Sequence, residues 1–132
     1  MNAAALLAKS EVAAASAQAL LERGDADGAV NRAYDAMFDA ARAILTAALG
    51  EMEAGAAART HSGLIAAFGL HIVKPGRMPR EYGRQLNRAL ELRQLADYTG
   101  ESIDMAEAAE LVQQARRFVQ AVRQAVPKTD EV

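Results

Sequence analysis

Apolar residues recur along most of the chain at steps of three and four, the spacing that lines one face of an α-helix. The cleanest run is Ala108, Leu111, Val112, Ala115, Phe118, Val119, Val122 and Val126, which predicts a helix over about Met105 to Val126. A second run, Val30, Ala33, Tyr34, Met37, Ala41, Ile44, Leu45 and Ala48, predicts one over about Ala26 to Leu49. Leu6, Leu7, Val12, Leu20 and Leu21 mark a first helix, about Ala3 to Arg23, stopped by Gly24. Leu64, Ile65, Phe68 and Ile72 mark a shorter one, about His61 to Val73. Tyr82, Leu86, Ala89, Leu90, Arg93 and Asp97 share a stripe over about Arg80 to Thr99.

The breaks agree with these assignments. Asp25 or Asp27 is placed to cap the second helix, Thr60 the third, and Asp104 or Ser102 the last, each through an oxygen that accepts from a free backbone amide. Gly50 and Gly100 terminate helices, and Lys74-Pro75-Gly76-Arg77-Met78-Pro79 is a connector. The stretch Glu51 to Arg59 reads either as a loop or as a continued alanine helix. No alternating segment is long enough for a sheet. The expected fold is all-α: an antiparallel bundle of four main helices plus a shorter one. It forms a single domain over residues 1–127, with a flexible tail at 128–132.

Composition sharpens this picture. Alanine supplies 32 of 132 residues, which favours helix but leaves a core of small side chains. Extra burial from a second copy or a partner would suit such a core. No segment approaches a membrane span, and the amino terminus lacks the pattern of a signal peptide. Cysteine is absent, so thiolate chemistry and disulfides are excluded, and a cytoplasmic setting is expected. Two histidines do not make a histidine-rich metal site, and no cofactor or metal is expected. A net charge of −2 argues against wholesale nucleic-acid binding.

Charge is nevertheless uneven. Arg77, Arg80, Arg84 and Arg88 follow one another at steps of three and four and can form a basic strip. The strip would contact phosphates without reading sequence, dock an acidic protein, or simply be solvated. Arg93 follows Leu86 and Leu90 along an apolar face and stands four residues before Asp97, so the two can pair. Tyr98 is expected to pack its ring and keep its hydroxyl at a polar edge. Arg32 lies beside Asn31, off the main stripe, and shares a side of its helix with Asp35 and Asp39. It is placed for a surface ion pair or for one wall of a cleft. His61, flanked by Thr60 and Ser62, sits in a first helical turn, where exposed amides favour an anion.

Three blocks carry a family resemblance: Asn31-Arg32-Ala33-Tyr34 with Ala36-Met37-Phe38, Thr60-His61-Ser62-Gly63 with Phe68, and Arg93 with Asp97-Tyr98. In their order and helical context the chain resembles a HEPN-domain protein of the small stand-alone prokaryotic UPF0332 type, over about Ala13 to Val126. The resemblance implies a helical bundle that pairs as a homodimer. It also implies a minimal nucleotidyltransferase as partner, within a toxin–antitoxin or defence module. Other HEPN proteins are metal-independent endoribonucleases, with an arginine followed after four to six residues by a histidine. In that chemistry arginine stabilises phosphoryl charge and histidine moves the proton of a 2′-oxygen.

This sequence departs from that motif. After Arg32 the corresponding positions are Met37, Phe38 and Asp39; after Arg93 they are Tyr98, Thr99 and Gly100; the stretch Leu64 to Ala67 after Arg59 has no histidine either. His61 can stand in only if the fold brings it to an arginine. Some nucleotidyltransferase partners of the family adenylylate a tyrosine near the motif, and Tyr98 is the nearest analogue. Three readings follow. The first is a partner protein of a nucleotidyltransferase with a nucleotide- or RNA-contacting cleft organised by Asn31, Arg32, Arg93, Asp97 and Tyr98. The second is an endoribonuclease using His61 with Arg32 or Arg93. The third is a dimeric scaffold whose polar residues fix helix register.

Overall fold

A computed structural model describes residues 1–127, and the predicted tail at 128–132 lies outside them. The described chain is helical: α1 (Ala3–Glu22), α2 (Ala26–Leu49), α3 (Glu51–Ala57), α4 (His61–Phe68), α5 (Arg80–Thr99) and α6 (Met105–Ala125). The all-α expectation holds, with two refinements. Glu51 to Arg59 is neither loop nor a continuation of α2. Gly50, at φ +92°, turns the chain so that a separate short helix starts at once. The predicted third helix stops as an α-helix at Phe68 and goes on as one π-helical turn, Gly69–Val73. There Lys74 N–H donates to the Gly69 carbonyl and Arg77 N–H to that of Ile72, both at 2.9 Å and both spanning five residues.

The caps resolve the alternatives. Asp25, not Asp27, accepts the Gly28 amide at 2.8 Å and starts α2. Thr60 accepts from Gly63 at 2.9 Å and starts α4. Asp104, not Ser102, caps α6. Asp27 instead accepts the Ile103 amide at 2.8 Å and so ties the α5–α6 connection to the first turn of α2.

α2 is the central helix, and every other helix packs on it. Its interface with α1 is the largest in the molecule, and the three-residue link between them folds the pair back as a helical hairpin. The buried face of α1 is Leu6, Leu7, Ser10, Ala13, Ala14 and Ala17, and that of α2 is also rich in alanine. Small side chains let the two backbones approach closely. Val12, expected in the core, is 63% exposed, because alanines rather than valine cover the α2 side. Ser10 is buried at no cost in hydrogen bonding, since its hydroxyl donates to the Leu7 carbonyl at 2.7 Å.

α6 closes the core with Leu111, Val112, Phe118, Val119 and Val122. Phe118 meets Phe68 at 5.5 Å and Tyr82 at 5.7 Å between ring centroids. α5 rests mainly on α2 and only lightly on α6. Its buried residues are Leu86, Ala89 and Leu92. The last turn of α5 outruns this support, with consequences for the site. No described helix is long and apolar enough to cross a membrane.

Candidate functional site

Two neighbours on α2 build the site. Tyr34 belongs to the apolar stripe and is fully buried, whereas Asp35, one residue on, emerges at the stripe's edge and is 37% exposed. A helix turns 100° per residue, so adjacent side chains leave it in different directions. Tyr34 reaches α4 and Asp35 reaches α5.

The Tyr34 hydroxyl lies 2.8 Å from His61 Nδ1. Burial pushes the phenol up to about 12, against a lowering pull from Arg93 and a smaller push from Asp35. The phenol is therefore protonated at neutral pH, and the imidazole is the only partner its proton has among the described residues. With that proton donated to Nδ1, a neutral His61 carries its own proton on Nε2. The His61 ring is fixed further by edge-on contacts, 5.4 Å from the Tyr34 centroid and 5.7 Å from that of Phe38. The residue is otherwise exposed at the first turn of α4. One side of the imidazole is thus held by protein, and the other is open.

Asp35 holds two arginines, one on each carboxylate oxygen. Arg93 Nη1 donates to Oδ1 at 3.1 Å and Arg32 Nη1 donates to Oδ2 at 3.2 Å. The Arg93 guanidinium carbon also stands 5.4 Å from the Tyr34 ring centroid, within cation–π range. Side-chain exposures of 31% for Arg93 and 39% for Arg32 leave both cations reachable from solvent. Exposed ion pairs contribute little, about 0–1 kcal/mol each, so the clamp orders the guanidiniums more than it stabilises the fold. Asp39, one turn further along α2, has its carboxyl raised above the usual range. Burial is the main cause, opposed chiefly by Lys9 of α1 and reinforced by Asp35.

The structure gathers some predicted residues and disperses others. Arg32, Arg93 and His61 meet around Tyr34 and Asp35. Asn31 is half-buried on α2 with no side-chain hydrogen bond among the described residues. Arg93 does not pair with Asp97: the local partner four residues away loses to Asp35, 58 positions away in sequence. Asp97 is exposed, and Tyr98, expected to pack its ring, is 87% exposed. Both stand on the last turn of α5, where none of the described helices covers them. Arg77, Arg80 and Arg84 are exposed, while Arg88 turns to Glu91 at 3.8 Å and Glu107 of α6 at 3.6 Å. Among the described residues no three carboxylate or imidazole groups converge as metal ligands.

Sequence reasoning took Tyr34 as core packing and Asp35 as a local partner of Arg32. Both assignments are correct and both are incomplete. The available signal was their adjacency at the border of the buried stripe of α2, where a phenol and a carboxylate diverge toward two other helices.

Asp35 occupies the space between the two guanidiniums, so the arrangement can meet a phosphate only through their outward-facing N–H groups, with an exposed imidazole at the start of α4 held to the same tyrosine as Arg93. Comparison with known proteins agrees with the fold. A UPF0332 protein of Gloeobacter violaceus is 37% identical over 117 residues, 87% of this chain and 88% of the relative. A Methanocaldococcus jannaschii protein that carries the name "Putative toxin" is 32% identical over 122 residues, 92% of this chain and 87% of the relative. A UPF0332 protein of Thermotoga maritima is 33% identical over 112 residues, 83% and 80% of the two chains. The family model described as the HEPN domain matches residues 3–125, which run from the first residue of α1 to the last of α6, and the chain belongs to the HEPN family.

Proposed function

We propose that this protein is the HEPN member of a toxin–antitoxin-type module, that it pairs as a homodimer, and that it binds a minimal nucleotidyltransferase. Its Arg32–Asp35–Arg93 clamp, with His61 beside it, contacts nucleotide or RNA phosphate. The single observation that carries the reading is the convergence of three helices, α2, α4 and α5, on one half-exposed cationic cluster. A bundle that used these residues only for register would bury or fully pair them; here two arginines share one carboxylate and keep solvent-facing N–H groups. The toxin name of the Methanocaldococcus relative supports the module. Co-expression with a minimal nucleotidyltransferase found by sequencing the gene's neighbourhood, followed by size-exclusion chromatography, tests it. A stable complex is expected, and two independently eluting proteins would overturn the reading.

A second reading, the metal-independent endoribonuclease, is favoured by one specific feature. Although the arginine-to-histidine spacing is absent from the sequence, the fold brings His61 and Arg93 to the same tyrosine. The 2′-oxygen would attack phosphorus and lose its proton to solvent while the P–O5′ bond breaks; Arg93 would stabilise the phosphoryl charge, and His61 in its imidazolium form would give its Nε2 proton to the leaving 5′-oxygen. Incubating RNA with chelator and purified wild type, His61→Ala and Arg93→Ala proteins separates the readings. Cleavage by wild type that both variants lose establishes the enzyme; intact RNA throughout eliminates it.

A further inference from the structure

A second polar surface lies where the start of α5 meets the C-terminal half of α6, and it shares no residue with the Tyr34 cluster. It is an open groove of about 550 Å³, lined by Tyr82, Gln113, Arg116, Arg117, Gln120 and Gln124. Its physical origin is the loose fit between α5 and α6. Tyr82 reaches across to Phe118, and beyond it the exposed stripe of α6 has none of the described helices against it. Gln113, Arg116, Arg117, Gln120 and Gln124 follow at helical steps along that stripe, which extends roughly 16 Å.

Three properties of the groove point to the same ligand. Its charged lining is entirely arginine, and neither Arg116 nor Arg117 forms an ion pair among the described residues. The Tyr82 ring is held edge-on against buried Phe118 at 5.7 Å, so a half-exposed aromatic surface is presented in a fixed orientation. The three glutamine amides both donate and accept hydrogen bonds. Guanidiniums for phosphates beside an aromatic surface for bases is the composition of a single-strand nucleic-acid site. An acidic protein segment would use the arginines but not the ring. The predicted strip on α5 is a separate surface, because Arg80 and Arg84 stand two residues either side of Tyr82 and helical geometry turns them to the opposite side of α5.

We propose that this groove docks single-stranded RNA, with Arg116 and Arg117 on successive phosphates and a base against Tyr82. The test is fluorescence anisotropy with a short labelled oligouridylate across a salt series, using wild type, Arg116→Glu/Arg117→Glu, and a charge-matched control, Arg80→Glu/Arg84→Glu. All four positions are exposed, and circular dichroism verifies folding. The groove variant should bind roughly tenfold more weakly or worse. Its salt dependence should be shallower by about 1.4 in log–log slope, the release expected for two phosphates of a single strand. The control should stay close to wild type, since its substitutions lie on the opposite side of α5 and leave the groove intact. Several outcomes overturn the proposal: no binding by wild type, undiminished binding by the groove variant, or an equal loss in the control. Competition by tripolyphosphate or polyglutamate as effective as unlabelled oligouridylate overturns it too, since the groove would then recognise charge alone.

Discussion

The hydroxyl of Tyr34, in the first half of the longest helix, sits 2.8 Å from Nδ1 of His61, 27 residues along the chain and at the surface. This one bond connects the core to the exposed end of α4. It also favours the imidazole tautomer with Nδ1 unprotonated, because the buried phenol has no other acceptor for its proton among the described residues.

Tyr34→Phe keeps the buried ring and deletes that bond. The exposed imidazole recovers water, so the loss should be about 0.5–1.5 kcal/mol. Nitrogen NMR of the wild type should show His61 protonated at Nε2 when neutral, and the variant should show mixed tautomers. The same pair has a signature in alkali. Tyr34 moves from 10.0 in the unfolded chain to about 12 when folded. Between those values the unfolded state has released a proton that the folded state still holds, so stability falls as pH rises. The slope attributable to Tyr34 approaches about 1.4 kcal/mol per pH unit. Denaturant titrations of wild type and variant should converge as pH rises, with the wild-type advantage shrinking above the ordinary tyrosine range. Parallel curves would remove the burial argument.

Arg93 and Asp35 can be weighed by a double-mutant cycle with Arg93→Ala and Asp35→Ala. Both side chains are about one-third exposed, so a coupling of about 0.2–1 kcal/mol is expected. A coupling of several kcal/mol would show a desolvated, structural salt bridge and would count against a solvent-facing phosphate clamp.

Asp39→Asn should stabilise the fold at neutral pH. The raised carboxyl means that the folded state favours the neutral form. Its contribution is present below the unfolded carboxylate range and lost as pH climbs through the folded value. Thermal melts across the acid range should show the variant's advantage vanish as both proteins become neutral at this position. An advantage independent of pH would mean that the amide acts through a new hydrogen bond instead.

Gly63→Ala probes how α4 presents His61. A Cβ at residue 63 would stand 2.7 Å from both the Ala57 carbonyl oxygen and Thr60 Oγ1. The first is backbone and the second is the cap of the same helix, so neither yields readily. A loss of about 1–3 kcal/mol is expected despite alanine's better helix propensity. The His61 resonances should shift with it. A variant as stable as wild type would show that the α3–α4 corner is softer than its geometry implies.

Local signals reached far into this fold and stopped at definite points. Glycines, cap residues and apolar spacing located α1, α2, α5 and α6 to within a residue or so, because each of those cues acts within one or two helical turns. The π-helical turn after Phe68 was invisible, since Leu64, Phe68 and Ile72 keep the same spacing whether or not a residue is added to the turn. The site was half legible. Arg32, Arg93 and His61 stood out as polar residues on or beside packing faces. Their partners could not be chosen, because proximity in sequence favoured Asp97 for Arg93 while the packing of α5 on α2 delivered Asp35. Tyr98 and Asp97 failed for a related reason: helical periodicity continues to the end of α5, but the surface it packs against does not.

Three tethers leave α2: Asp27 to the α5–α6 connection, Tyr34 to α4, and Asp35 to α5. The spacing between them therefore sets the frame of the whole site. Deleting one residue between Asp27 and Tyr34 would rotate one tether by 100° against the other two, with no compensating slide that satisfies all three. Extra residues before Ile103 would lengthen a loop whose one anchor, the Ile103 amide and buried side chain, stays in place. Changes of chain length should accordingly be tolerated at that corner and excluded from the segment that runs from Asp27 to Asp35.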